Sequence, residues 1–357
     1  MKGRLRAFTM VAALAVIWIV FGTLTEGTFF SPRNLSLLAR QTSVTAILGI
    51  GMVLVIVAGQ IDLSVGAVAG LMGAVSAMAY VQHDVPLFAA FLAALAGGAM
   101  LGALQGTLVA RLGIPAFIVT LGGMLVFQGT LLGVTGGVTT SPNRPYLFVG
   151  QTYVPRMLGW ALAGLVAGLC VVRAVRQPES RTGSLVGAVV ALAFAGVMNA
   201  YQGVPLPVLL VVSLAAFFSA VARHTPFGRH LYAIGGNREA AFYSGIRIER
   251  HLVGVFTIMG LLSGVAGVVL TARVGSATPD AGRMMELDAI AAAVIGGASL
   301  LGGRGTVWGA LLGALVMASL DNGMSLLNTE SFWQAVIKGL ILVAAVAADM
   351  AGQRTRA

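Results

Sequence analysis

Runs of continuously apolar residues, each closed by a short polar or glycine-rich break, follow one another along the whole chain. The runs fall at 7–24, 43–59, 64–81, 87–110, 116–136, 157–173, 184–200, 205–222, 252–272, 287–300, 306–321 and 333–349. A helix needs about twenty residues to cross a hydrocarbon core roughly 30 Å thick, and most of these runs come close to that length. Strands of a membrane barrel alternate apolar and polar residues one by one, which these runs do not, so a barrel is excluded. Repetition from end to end also excludes a soluble domain on a single anchor. The pattern predicts an all-α fold, a polytopic helical membrane bundle of about ten to twelve hydrophobic segments in one transmembrane domain over 1–357. Some segments are too short to cross. The run 287–300, and one of the pair 43–59 and 64–81, are expected to be broken or half-membrane helices. Between the runs at 287–300 and 306–321, Gly296-Gly297 and Gly302-Gly303-Arg304-Gly305 read as a chain reversal joining two short helices. Irregular backbone at membrane depth survives only where protein buries it or where it lines a wet cavity.

Composition agrees: 58% of the residues are hydrophobic and 10% charged, with a mean hydropathy of +0.93. The net charge of +10 changes the picture only through its placement. The arginines lie in the breaks, which points to the positive-inside rule rather than to a nucleic-acid partner. With the N-terminus inside, counting crossings puts Arg111, Arg173, Arg176, Arg181, the break 223–251, Arg304, Arg354 and Arg356 inside. Loops holding Arg33, Arg40, Arg144, Arg156, Arg273 and Arg283 fall on the opposite side, so the bias is modest. Both termini are expected in the cytoplasm. The basic start has the form of a signal peptide, but no small-x-small cleavage site follows residue 24, and the segment reads as an uncleaved first span. The single cysteine, Cys170, sits inside an apolar run and suggests neither a disulfide nor a metal cluster.

Candidate chemistry is sparse. Asp62, Glu286, Asp288 and Asp321 lie in or beside apolar runs, where a carboxylate costs at least about 2–3 kcal/mol unless it is paired or faces a cavity. Asp62 is placed to cap the following helix, to line a pathway, or both; Glu286 and Asp288 are placed to cap a short helix at 289–295. In the longest break, Asn237 is a good N-cap, 238–244 is helix-compatible, and Gly245 suits the left-handed position beyond a helix end. That makes a compact knob of about two turns, suited to docking against another protein. The chain has no G-x-x-x-x-G-K-[ST], no H-E-x-x-H and no G-x-S-x-G, so nothing marks it as an ATPase, metalloprotease or hydrolase.

The strings that remain resemble a known family. Gln41-Thr42-Ser43-Val44, Gly59-Gln60-Ile61-Asp62-Leu63-Ser64-Val65-Gly66 and Pro115-Ala116-Phe117-Ile118-Val119-Thr120-Leu121 carry the resemblance in the first half. In the second half it rests on Phe227-Gly228-Arg229, Tyr232-Ala233-Ile234-Gly235-Gly236-Asn237, Glu286-Leu287-Asp288-Ala289-Ile290-Ala291-Ala292 and Val294-Ile295-Gly296-Gly297. Together they are similar to the permeases of bacterial sugar ABC importers of the ribose and xylose type. Thr139-Thr140-Ser141-Pro142, Gly203-Val204-Pro205-Leu206-Pro207, Ser319-Leu320-Asp321-Asn322-Gly323-Met324-Ser325 and the extra pair of spans at 157–200 resemble the xylose-type branch.

The resemblance implies a non-enzymatic, multi-pass protein of the bacterial inner membrane that pairs with a second copy, its pathway at the subunit interface. It implies a cytoplasmic ATPase subunit, which holds the ATP and Mg²⁺, and a periplasmic sugar-binding protein; this chain itself would bind no cofactor. The knob then matches the coupling helix, with Asn237, Arg238, Glu239, Ala240, Ala241, Ser244 and Gly245 as its residues, although the hydrophobic-x-Leu-Pro tail of the importer loop signature is missing. A neutral pentose such as xylose calls for hydrogen-bonding groups, and Asp62, Ser64, Gln128, Asp288 and Asn322 are the pathway candidates. Gln128 and Asn322 fit equally well as hydrogen-bonding glue between helices. The alternative is a secondary transporter driven by an ion gradient, which broken helices and intramembrane carboxylates would also suit.

Overall fold

The computed structural model describes residues 2–177 and 181–354; Arg356, assigned above to the inner side, lies outside them. Twelve apolar helices answer the twelve runs one for one. They are α1 (Lys2–Leu24), α2 (Pro32–Val57), α3 (Val65–Gln82), α4 (Leu87–Arg111), α5 (Ala116–Thr135), α7 (Arg156–Arg176), α8 (Arg181–Asn199), α9 (Leu206–His224), α12 (Ile248–Val274), α13 (Met285–Ile295), α14 (Val307–Leu326) and α15 (Ser331–Arg354). Among the described residues, nine are long and apolar enough to cross a membrane, and α1 and α15 carry the shorter apolar stretches Met10–Leu24 and Ser331–Ala347. With 11 residues, α13 rises only about 16 Å and is the half-membrane helix. The pair around Asp62 departs from expectation: α2 with 26 residues and α3 with 18 are both long and apolar enough to cross, so neither is a half-membrane helix.

Three further expectations need correcting. Helix α2 begins at Pro32, eleven residues before the apolar run, with the Ser31 hydroxyl accepting the Asn34 N–H at 3.3 Å. Arg33 and Arg40 therefore belong to a helix and not to a loop. Arg273 likewise lies in the last turn of α12. The reversal at 296–306 joins the half-helix α13 to a full-length partner, since α14 has 20 residues.

Two polar helices were not anticipated. α6 (Arg144–Gln151) carries Pro145 in its first turn. α10 (Pro226–Gly236) opens on Thr225, whose hydroxyl accepts the Gly228 N–H at 3.2 Å, with proline at the first helical position, where its missing N–H costs nothing.

α2 and α12 form the centre, and almost every side chain from Ser43 to Val57 is buried. α12 crosses α4 at backbone contact. A Cβ at Gly102 would lie 2.1 Å from the Phe256 carbonyl, and one at Gly260 2.1 Å from the Gly98 carbonyl. In lipid, where apolar side chains gain little from leaving the solvent, such small-residue crossings supply the packing that holds helices together. The α7–α8 hairpin, α5 and α15 sit at the periphery and present broad apolar faces outward.

Candidate transport and coupling site

Both helix breaks are built alike. After α2, the Gln60 N–H donates to the Val55 carbonyl (3.1 Å) and the Gly59 N–H to Ile56 (2.9 Å). After α13, the Ala298 N–H donates to Ala293 (2.9 Å) and the Gly297 N–H to Val294 (2.9 Å). These are paired Schellman closures, and each needs the left-handed residue that glycine supplies: φ is +75° at Gly59 and +93° at Gly297.

α10 holds the two breaks together. The Gly303 N–H donates to the Val57 carbonyl at 2.9 Å, and Gly302 and Gly303 lie directly on the Gly235–Gly236 backbone of α10. The Tyr232 hydroxyl donates to the Gly305 carbonyl at 2.8 Å. Burial pushes the Tyr232 phenol above its ordinary value, outweighing the Arg223 guanidinium nearby, so it stays a donor. One short helix thus touches the end of α2 and the reversal between α13 and α14.

The knob follows at once. α11 (Arg238–Tyr243) is capped by Asn237, whose side-chain oxygen accepts the Ala240 N–H at 2.9 Å. Beyond it Gly245 takes φ +78°, and the Ser244 hydroxyl returns to the Ala240 carbonyl at 2.8 Å. Arg238 and Glu239 lie exposed on its outer side and Ala241 is buried beneath it. Asn237, Arg238, Glu239, Ala240, Ala241, Ser244 and Gly245 therefore occupy one small element, joined to both breaks by α10.

The five pathway candidates do not converge. Asp62 and Ser64 share one buried cluster at the α2–α3 break. The Asp62 carboxylate accepts the Ser64 N–H at 2.8 Å and the Ser64 hydroxyl at 2.7 Å, and Ser64 Oγ lies 3.0 Å from Gln105 Oε1. Asp62 thus closes a turn on the residue just before α3 and does not cap the helix proper. Asp62 is buried, with only 2% of its surface exposed. Gln128 lines a separate pocket of 380 Å³ between α5 and the loop at Pro279–Arg283.

Asp288 is not a cap either. Its carboxylate bonds Lys338 of α15 at 3.0 Å, and Lys338 also reaches Asp321 of α14 at 2.9 Å. Glu286 lies buried against Gly66 at the start of α3, which brings α13 and α3 together near Ser64. Lys338 and Gln105 escaped the sequence reading. A lone lysine inside the run 333–349 carries the same signal as the intramembrane carboxylates and could have been paired with them.

Asn322 is engaged in interhelical bonding. Its amide exchanges two hydrogen bonds with Asn34 of α2, at 2.8 and 3.0 Å, and Asn34 adds a bond to the Phe29 carbonyl at 2.9 Å. Replacing either asparagine by leucine should destabilise the protein by about 1–2 kcal/mol, because the surviving amide keeps its desolvation cost. The double Asn34→Leu, Asn322→Leu variant should lose less than the sum of the two. Thermal unfolding in detergent measures all three, and strict additivity would show that the pair does not act as one unit.

Comparison with known proteins accords with this architecture. The family described as the permease component of branched-chain amino acid transport systems matches residues 34–346. The xylose transport system permease protein XylH of Escherichia coli strain K12 is 45% identical, over 98% of this chain and 93% of the relative. The chain belongs to this permease family, in its xylose- and ribose-type branch. XylH of Haemophilus influenzae is 43% identical over 98% of this chain and 97% of its own. The ribose import permease protein RbsC of E. coli strain K12 is 38% identical over 96% and 92%. No solved structure matches the chain at comparable significance. Membership makes this a multi-pass membrane permease of a transport system. The α7–α8 hairpin lies within the length shared with the xylose-type relatives.

Proposed function

We propose that this chain is the membrane-spanning subunit of an ATP-driven importer that carries xylose, or another pentose, into the bacterial cytoplasm. The observation that carries the reading is mechanical: a capped, exposed helix is tied through one rigid neighbour to both helix breaks. Closure of ATPase subunits bound at α11 would move α10, and α10 cannot move without displacing the end of α2 and the α13–α14 reversal. The knob lies on the cytoplasmic side, as do both termini, in the inner membrane. ATP and Mg²⁺ are held by the ATPase, a periplasmic binding protein delivers the sugar at the α6 side, and a second copy of the chain completes the pathway. Relatives named for xylose and for ribose both support a pentose, and the higher identity to the xylose permeases favours xylose. The site needs only weak affinity for the sugar, because the binding protein captures and delivers it.

Uptake of labelled xylose into proteoliposomes tests the reading. Transport should require the binding protein, the ATPase and ATP together. Uptake by this chain alone on a proton or sodium gradient would overturn it in favour of a secondary transporter, which the buried carboxylates and broken helices would then serve. Within the working system, Glu239→Lys and Gly245→Val should each cut uptake by about tenfold or more while leaving insertion intact. A β-branched residue at φ +78° is strained by roughly 1–2 kcal/mol, enough to disturb a two-turn knob. Normal uptake by both variants would remove α11 from the coupling role.

A further inference from the structure

We propose that the ring pair Phe242–Tyr243, with the cleft beneath it, is the anchor that the cytoplasmic ATPase subunit grips, through an apolar socket rimmed by carboxylates. The proposal rests on the permease reading above and names which atoms of the knob make the contact. α11 turns Ala241 inward, where it is buried with Leu231, Ile234 and Ile248 in the main core. Phe242 and Tyr243 turn outward, 65% and 79% exposed, with their rings edge to face at 5.8 Å.

Apolar side chains exposed along α5 or α7 meet lipid and need no explanation. These two rings belong to a polar loop between α9 and α12, where an adjacent pair of exposed aromatics marks a contact site. Aromatic rings gain much area for little lost rotamer freedom and dominate the binding energy of protein interfaces. Here the Asn237 cap and the left-handed Gly245 fix the helix that carries them, so little ordering remains to be done on binding.

The cleft gives the partner its charge. It is an open cavity of 880 Å³ between α11 and the start of α12, and its rim holds Arg238, Arg247 and Arg250 against Glu239 and Glu249. Arginine is in excess, so an acidic partner surface is favoured. The signs also alternate, as Arg238-Glu239 and Glu249-Arg250. A bilayer of anionic headgroups rewards a purely basic stripe, whereas interleaved carboxylates suit a protein surface of opposite pattern. The rings, the cleft and the mixed rim together fit a folded protein domain better than lipid.

Binding of the system's own ATPase subunit to the permease in nanodiscs tests this directly. Phe242→Ala and Tyr243→Ala should each weaken binding about tenfold, and the double variant about a hundredfold, with Tyr243→Phe close to wild type. Arg247→Glu with Arg250→Glu should also weaken it. If the ATPase binds the wild type and the double alanine variant equally well, the anchor is overturned while the permease reading stands. If it does not bind the wild type at all, that reading falls and the anchor with it. A Tyr243→Trp reporter gives an independent measurement: its emission should shift when the ATPase is added. Quenching by brominated lipid, with no response to the ATPase, would place the ring in the bilayer and overturn the proposal.

Discussion

Lys338→Met is expected to destabilise the protein by about 3–5 kcal/mol, the range found when one partner is removed from a buried ion pair. Lys338 stands between Asp288 at 3.0 Å and Asp321 at 2.9 Å, and all three side chains are largely withdrawn from solvent. Without the ammonium, two carboxylates on neighbouring helices are left in a medium that cannot hydrate them. The effect should reach beyond local packing. α15 turns Phe332, Trp333, Val336, Leu340 and Val343 outward, so the ion pairs, together with Ile337, Ile341 and Leu342 packed against Ala291 and the α14 core, fasten it to α13 and α14. Asp288 lies in the first turn of the half-helix, and loosening α15 frees α13 at the end where it meets α3. The unfolding midpoint in detergent measures the loss. Asp321→Asn, which keeps one ion pair, should cost less. The triple Lys338→Met, Asp288→Asn, Asp321→Asn variant carries no buried charge there and should regain much of the midpoint. A midpoint for Lys338→Met equal to wild type would show that the triad does not fasten α15.

What the sequence disclosed and what it hid both follow from the solvent. Lipid cannot hydrogen-bond a backbone, so each crossing must be a closed apolar helix, and all twelve segments were visible as runs. The first eleven residues of α2 were hidden because Asn34, Ser36 and Arg40 make them look like a loop. They are tolerated there because Asn34 pairs with Asn322, and because Arg40 donates to the Gly150 carbonyl at 3.1 Å. The knob was legible because its signals are local: an Asn cap and a left-handed glycine act within eight residues of each other. α10 had an equally local signal in Thr225-Pro226. The pairing of residue 288 with 338, or of 34 with 322, has no local signature, since the bonds span 50 and 288 positions. The pathway candidates therefore fall at separate places: a buried turn (Asp62 and Ser64), an ion pair (Asp288), an interhelical amide pair (Asn322) and a pocket lining (Gln128).

The joint beneath the knob gives the second large effect. Gly235→Leu should leave the protein inserted and able to bind the ATPase, yet lower xylose uptake by at least about tenfold. A Cβ at Gly235 would fall 1.8 Å from the Val57 carbonyl oxygen and 2.7 Å from the Gly303 nitrogen. Both are backbone atoms, so no rotamer change relieves the clash, and α10 must lift away from the end of α2 or from the reversal after α13. Either displacement breaks the short path that α10 makes between α11 and the two helix breaks. The hydrogen bonds from Tyr232 to Gly305 and from Gly303 to Val57 would lengthen with it. Gly236→Ala is the matched control. It adds its methyl group one residue further on, where nothing lies within 4 Å, and it should transport like wild type. Measuring ATP hydrolysis beside uptake identifies the step that fails. A severed joint lets the ATPase turn over while sugar stays outside, whereas a misfolded permease shows neither hydrolysis stimulation nor transport. Should Gly235→Leu import xylose as fast as Gly236→Ala, force does not travel through α10. The coupling would then have to run through α12, whose first turn also borders the cleft beneath the knob.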